Sequence, residues 1–263
     1  MVFSGRGLAI ATLSAIFAAL IINTLSNFFP PGGANVGEIA NTLLAGVLII
    51  PANYAFAIWG LIYVGLIAYG IYQLQPSQCN NPNIRRVSQL LITACGAQIL
   101  WIFCFTLQFF TLSILPMVII LLSLVGAYLN LGVGEARPSR RRRWLAQIPF
   151  SVYLAWIAVA TTINVAAALY AAGWGGWGLN NVGWTVVMLL VAMTLGGWVA
   201  WQRRDIAFAL VFVWAFVAIA IRHSDTPLLW MTALGASLVV IASLAISRWR
   251  YYQLQKLGPS LGK

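Results

Sequence analysis

Residues 49–65 read IIPANYAFAIWGLIYVG. A helix crossing lipid can be assembled from Leu, Val and Ala alone, yet this run sets Pro51, Asn53, Tyr54, Phe56, Trp59 and Tyr63 among its aliphatic residues. Lipid requires none of these side chains. The stretch reads as a membrane helix with one face turned either to other helices or to a guest.

The composition around it agrees. The 263-residue chain is 62% hydrophobic and only 7% charged, with a mean hydropathy of +0.90, where a soluble domain carries roughly a quarter charged residues. Apolar runs of about 20 residues recur, the length that crosses ~30 Å of hydrocarbon at 1.5 Å per residue. They are continuous rather than alternating, which argues against strands. The expected fold is all-α, an integral membrane protein built as a polytopic helical bundle of about eight transmembrane helices. The spans are Leu8–Phe28, Ala52–Leu74, Val87–Leu107, Leu112–Leu131, Leu145–Ala171, Gly183–Trp201, Ile206–Ile221 and Leu228–Ser247, the seventh being short. The first is read as a retained helix: it outruns the h-region of a signal peptide, and Pro30-Pro31 follows where a small-residue cleavage site would lie.

The net charge of +11 invites a nucleic-acid reading, but its distribution assigns it to topology. If eight spans alternate, one side receives Arg6, the pairs Arg85–Arg86, Arg203–Arg204 and Arg248/Arg250, the cluster of Arg137 and 140–143, Lys256 and Lys263. Arg222 alone falls on the other, so 14 of the 15 basic residues share a side. The positive-inside rule then predicts both termini and the basic loops in the cytoplasm, N-in and C-in, in the inner membrane if the host is bacterial. The run RRRRW at 140–144 reads as a stop signal that touches anionic headgroups, with membrane lipid as partner and no nucleic acid. Cys79, Cys95 and Cys104 imply no disulfide framework, and the lone His223, without ligands at metal spacing, implies no metal site.

The loops on the other side are neutral and rich in Gly, Pro and Asn. The first is long, and its stretch Val36–Ile50 is apolar enough to lie in the interface or fold over the bundle as a lid. Trp174 and Trp177 read as interfacial anchors.

Helical geometry puts residues i, i+3, i+4 and i+7 on one face. In span two this gathers Phe56, Trp59 and Tyr63, with Asn53 at the edge; in span three Gln98, Trp101, Phe105 and Phe109; in span five Tyr153, Trp156, Ala160 and Asn164. Packing alone explains aromatic stripes. Asn and Gln within hydrocarbon are costly unless their amides find partners, however, and Asn53, Gln98 and Asn164 sit on the aromatic faces. Convergent aromatics with a few polar groups are what a cleft for a flat hydrophobic molecule needs. No span contains an ionisable Asp, Glu, Lys, Arg or His, so ion-coupled transport lacks its usual groups. No nucleophile–base pair, phosphate loop or other catalytic constellation can be assembled.

At these stripes the sequence resembles the TspO/MBR family of tryptophan-rich sensory and translocator proteins. PANYAFAIWGLIY (51–63) looks like the family's PPxWVFxPVWxxLY, QILWIFCFTLQFF (98–110) keeps its Q-to-FF spacing, and VYLAWIAVATTIN (152–164) is close to PYLxWxxFAxxLN. The likeness covers about residues 1–172 in matching order. Tyr54 stands for a tryptophan, Ala57 occupies the region of the second proline, and Ile102 and Phe105 replace an asparagine and a tryptophan. The resemblance implies a five-helix bundle over residues 1–172, followed by a three-helix membrane extension over 173–263. The extension is either an accessory bundle or a cover for the surface through which short members pair, so a homodimer stays open. It also implies binding of tetrapyrroles such as protoporphyrin or haem, or of sterol-like ligands, in a pocket opening toward the first long loop. Carried over by motif, its residues are Trp59, Tyr63, Gln98, Trp156, Ala160 and Asn164. The function expected is a membrane receptor or carrier for such a ligand in stress sensing or porphyrin handling, with no cofactor required. The alternative is a small-solute permease without ion coupling.

Overall fold

The computed structural model describes residues 5–135 and 138–257; Arg137 and Lys263 of the basic set lie outside them. Among the described residues nine helices of six or more residues form and no strand does. Helix α1 is Gly5–Phe28 and α2 is the short Val36–Asn41. A tight turn, Asn53–Ala57, leads into α3, Ile58–Gln73. Then come α4 Pro82–Thr106, α5 Phe110–Asn130, α6 Ile148–Ala171, α7 Asn181–Arg203, α8 Ile206–Arg222 and α9 Pro227–Leu257. Seven stretches are long and apolar enough to cross a membrane. The eighth, α8, has 17 residues, about 25 Å at 1.5 Å per residue. It nevertheless runs from one end of the bundle to the other, since Asp205 before it meets Tyr128 at the end of α5 and His223 after it meets Leu48 of the long loop.

Local chemistry places the helix ends. Asn81 caps α4 by accepting from the amides of Asn83 and Ile84, with Pro82 opening the first turn. Asn180 caps α7 through Gly183 N. Arg204 ends α7 in the left-handed region, φ +52°, and Asp205 immediately caps α8, its Oδ1 accepting from Ala207 N and Phe208 N. One residue that stops a helix and one that starts the next make this reversal tight. Ahead of α6 the chain takes one wide π turn, Arg143–Gln147, next to Pro149, which has no N–H with which to continue the regular ladder.

Helix α6 is the most enclosed of the long helices. It packs against α5, α3 and α8; α4 packs on α1 and α5, and α7 and α8 both pack on α9. A polar cluster ties the first helices together at one end. Gln73 Nε2 donates to Ala9 O (3.3 Å), the Ser88 hydroxyl donates to Gln73, and Tyr69 Oη meets Ser88 Oγ at 3.0 Å.

The arginine-bearing segments gather at that same end. Gly5 abuts Cys79 and Asn80, Glu135 pairs with Arg203, and the guanidinium groups of Arg204 and Arg250 lie 4.2 Å and 5.3 Å from the rings of Tyr251 and Trp201. The long loop occupies the opposite end. Several boundaries differ from the sequence expectation. Span two begins as the 53–57 turn, span three stops at Thr106, so Phe109 leaves its stripe for the connection to α5, and the last helix runs ten residues beyond Ser247.

A candidate ligand cavity beneath the long loop

The segment after α1 folds back over the bundle. Asn35 and Glu38 form a reciprocal cap at the start of α2: Glu38 N donates to Asn35 Oδ1 (2.9 Å) and Asn35 N to Glu38 Oε2 (2.8 Å). Such a box satisfies two amides that a free helix end would leave open. The turns that follow bury Ile39, Leu44, Val47, Ile49 and Ile50, so the apolar part of 36–50 covers the helices. Two contacts pin it. Asn41 Nδ2 donates to Asn53 Oδ1 (2.9 Å), and His223 Nε2 lies 2.7 Å from Leu48 O. Since a carbonyl only accepts, that nitrogen carries the proton.

Under this cover lies a cavity of about 580 Å³, within the ~300–1,000 Å³ typical of small-molecule sites. Asn53, Phe56 and Trp59 come from the 53–57 turn and α3, Gln98 and Trp101 from α4, and Trp156, Ala160 and Asn164 from α6. Eight of the ten residues singled out in the sequence therefore line one space. The other two, Tyr63 and Tyr153, do not. They lie fully buried behind it, where Gln98 Nε2 donates to Tyr63 Oη (2.6 Å) and Tyr153 Oη donates to Gln98 Oε1 (2.5 Å). Tyr63 Oη in turn donates to Ala19 O (3.2 Å). Every polar atom of this layer has a partner, so it forms a rigid base rather than a reactive surface.

The rings are held by one another. Phe56 meets Trp156 edge-on at 5.9 Å, Trp59 stacks on Tyr63 at 5.8 Å, and Trp101 is tilted against Phe105 at 5.0 Å. Trp156 is 1% exposed and belongs to the core, whereas Trp59 and Trp101 are half-buried. The sequence reading missed three contributions. Asn23 and Asn27 of α1 add polar edges, Met117 and Ile120 of α5 close one wall, and Glu38 is the only charged group among the described lining residues. The asparagines are the only amide side chains of α1 and were the available signal; Met117 and Ile120 carried none.

Asn164 is the atypical member. It is 2% exposed, and its Oδ1 accepts from Trp101 Nε1 (2.9 Å) and contacts Ser113 Oγ (3.1 Å). Its Nδ2 is buried with no hydrogen-bond partner. An indole nitrogen only donates, so the amide cannot be turned the other way. An orphaned buried donor costs about 1–3 kcal/mol, a cost that an acceptor on a bound molecule would offset.

The last three helices are part of this architecture. Ala52 N donates to Ala218 O, Trp214 Nε1 to Ala55 O and Arg222 Nη1 to Pro51 O, so α8 positions the turn that carries Asn53 and Phe56. No curated protein and no solved structure matches the chain. A family model described as TSPO-like protein matches residues 9–246, from within α1 to within α9. An all-helical bundle with seven membrane-length apolar stretches, matched over nearly its whole length, makes this chain an integral membrane protein of the TSPO-like family.

Proposed function

We propose that this protein is a membrane receptor or carrier that holds a flat hydrophobic ligand, a tetrapyrrole such as protoporphyrin, beneath the long loop. The observation that carries this reading is the cavity itself: Trp59, Trp101, Trp156 and Phe56 converge on it, and Asn164 Nδ2 is a buried donor without a partner. Aromatic walls suit a planar guest, and a donor left without a partner on a lining residue suits a guest with a carboxylate or carbonyl at its edge. Met117 is the only sulfur among the described lining residues and no histidine lines the space, so the free-base porphyrin is the probe of choice over haem. The Tyr63–Gln98–Tyr153 layer backs the cavity, a geometry that favours holding a ligand over an open permease path.

Titration of the purified protein in detergent with protoporphyrin, read by tryptophan quenching, tests the reading. Saturable binding that weakens at least about tenfold in Trp59→Ala, or ~1.4 kcal/mol, supports it. Equal affinity in a folded variant removes the pocket from consideration. Flux through liposomes separates a carrier from a receptor.

A further inference from the structure

A second space lies on the flank of the bundle toward its arginine-bearing end, separate from the cavity. Helices α3 and α8 both pack on α6, but α8 reaches across to the 53–57 turn rather than running along α3. The result is a groove of about 960 Å³. Ile148 and Val152 of α6 form its floor, Ile58 and Leu61 of α3 one wall, and Leu210 and Val211 of α8 the other. Trp214 stops it at the far end, its indole donating to Ala55 O (3.1 Å) and standing edge-on to Tyr54 at 5.1 Å. Leu61 and Leu210 are 60% and 57% exposed, so the groove opens sideways, where lipid lies.

Its length fits one leaflet. Ile206 to Trp214 climbs about 12 Å at 1.5 Å per residue, most of the ~15 Å half-thickness of a hydrocarbon core. Its mouth is cationic. Arg143, Arg203, Arg204 and Arg248 line it together with Tyr251 and Tyr252. The two acidic residues there are engaged: Glu135 pairs with Arg203, and Asp205 caps α8 and accepts from Tyr128 Oη at 3.0 Å. Arg143, Arg204 and Arg248 have no acidic partner among the described residues. Two of them are held in place by rings. Arg204 sits 4.2 Å from the centroid of Tyr251, and Arg248 donates to Tyr252 Oη at 3.2 Å.

We infer that this groove is a binding site for an anionic phospholipid, with one acyl chain lying on α6 between α3 and α8 and the phosphate facing Arg143, Arg204 and Arg248. An apolar slot of leaflet depth selects a chain, and unpaired guanidinium groups at its mouth select a phosphate through paired N–H donors. A zwitterionic headgroup would bring its ammonium against the same arginines, so the site discriminates by charge. The lipid would sit at the seam where the last three helices meet α3 and α6, whatever occupies the cavity.

Chain-spin-labelled phosphatidylglycerol and phosphatidylcholine, each at trace level in phosphatidylcholine vesicles containing the protein, report the motionally restricted fraction. The expected result is at least about fivefold preference for phosphatidylglycerol, falling to the phosphatidylcholine level in Arg204→Gln/Arg248→Gln. Excess inorganic phosphate should not displace the lipid. Ala207→Phe, which obstructs the groove and leaves the arginines in place, should likewise bring phosphatidylglycerol down to the phosphatidylcholine level, and decides the matter if the double variant does not fold. Equal restriction of the two lipids, displacement by inorganic phosphate, or indifference to Ala207→Phe overturns the inference. Cross-linking of two chains through Leu210→Cys, without preference for phosphatidylglycerol, overturns it in favour of a second copy in the groove.

Discussion

Trp101 donates its indole N–H to Asn164 Oδ1 at 2.9 Å, and this one bond decides which way the Asn164 amide faces. A stripe residue of α4 thereby sets the chemistry of a stripe residue of α6. The amide's nitrogen is left as a buried donor without a partner, on a residue that lines a space walled by rings.

If that donor is what orients the ligand, Trp101 and Asn164 act as a unit. Asn164→Leu should weaken protoporphyrin binding about tenfold, or ~1.4 kcal/mol. Trp101→Phe, which keeps a ring but frees the amide, should lose several-fold. The double variant should be no worse than Asn164→Leu alone, because residues sharing one bond are non-additive. Quenching titrations on the four proteins give the coupling directly, and strict additivity would separate the two roles.

Trp59 and Trp156 differ in burial, and their variants should differ in kind. Trp59 is half-buried at the cavity wall, so Trp59→Ala should lower affinity with a modest change in melting temperature. Trp156 is 1% exposed and packed on Phe56, so Trp156→Ala should cost about 3–5 kcal/mol of stability together with any loss of binding. Thermal unfolding in detergent, run beside each titration, distinguishes the two.

The cover over the cavity has a weak latch in Asn41 Nδ2 to Asn53 Oδ1. Asn53→Ala should raise the ligand's dissociation rate more than it lowers the association rate, since closure is what the bond favours. Asn35→Ala removes half of the reciprocal cap on α2, a loss of about 1 kcal/mol of local stability, and should act in the same direction. Stopped-flow release of protoporphyrin measures both.

The other fastening titrates. Burial holds His223 below its ordinary value of 6.5; Arg222 acts in the same direction, while the bond to Leu48 O and the charge of Asp225 partly oppose it. A base whose folded pKa is depressed contributes stability above its unfolded pKa and loses it as pH falls through the folded value. The melting temperature should therefore decline as pH is lowered from neutrality through and below 6.5, and His223→Gln should flatten that decline. A profile identical to wild type in the variant would assign the decline elsewhere.

Asp205 joins the last three helices to α5. Asp205→Ala removes the cap of α8 and leaves the buried Tyr128 hydroxyl without its acceptor. The expected loss is about 2–4 kcal/mol, read as a lower melting temperature. Asp205→Asn, which keeps an acceptor, should recover much of it.

Much of this arrangement was legible along the chain. Continuous apolar runs with sparse charge specify membrane helices because backbone groups in hydrocarbon must bond within their own segment. The 100° step of the helix put Trp59, Gln98, Trp101, Trp156, Ala160 and Asn164 on faces that do meet. The basic residues described at one end of the bundle are those that an even number of crossings places together. Where the helix starts and stops was less legible. Asn53 and Phe56 stand on a tight turn, and Phe109 leaves the helix at Gln108, whose φ is +64°.

Periodicity is a local property, and the sequence by itself determined what is local here: helix content, the apolar and aromatic faces, and the apolar loop able to cover them. Only the tertiary structure decided which polar groups satisfy one another. Tyr63 and Tyr153 were legible as stripe residues, but that they saturate Gln98 behind the cavity, while the lining residue Asn164 keeps a buried donor without a partner, depends on distances across three helices. The placement of α8 against the 53–57 turn, and the groove it leaves beside α3, depend in the same way on how whole helices pack. Voids and donor–acceptor pairs arise between segments distant in the chain, and a pattern repeating every few residues carries no information about them.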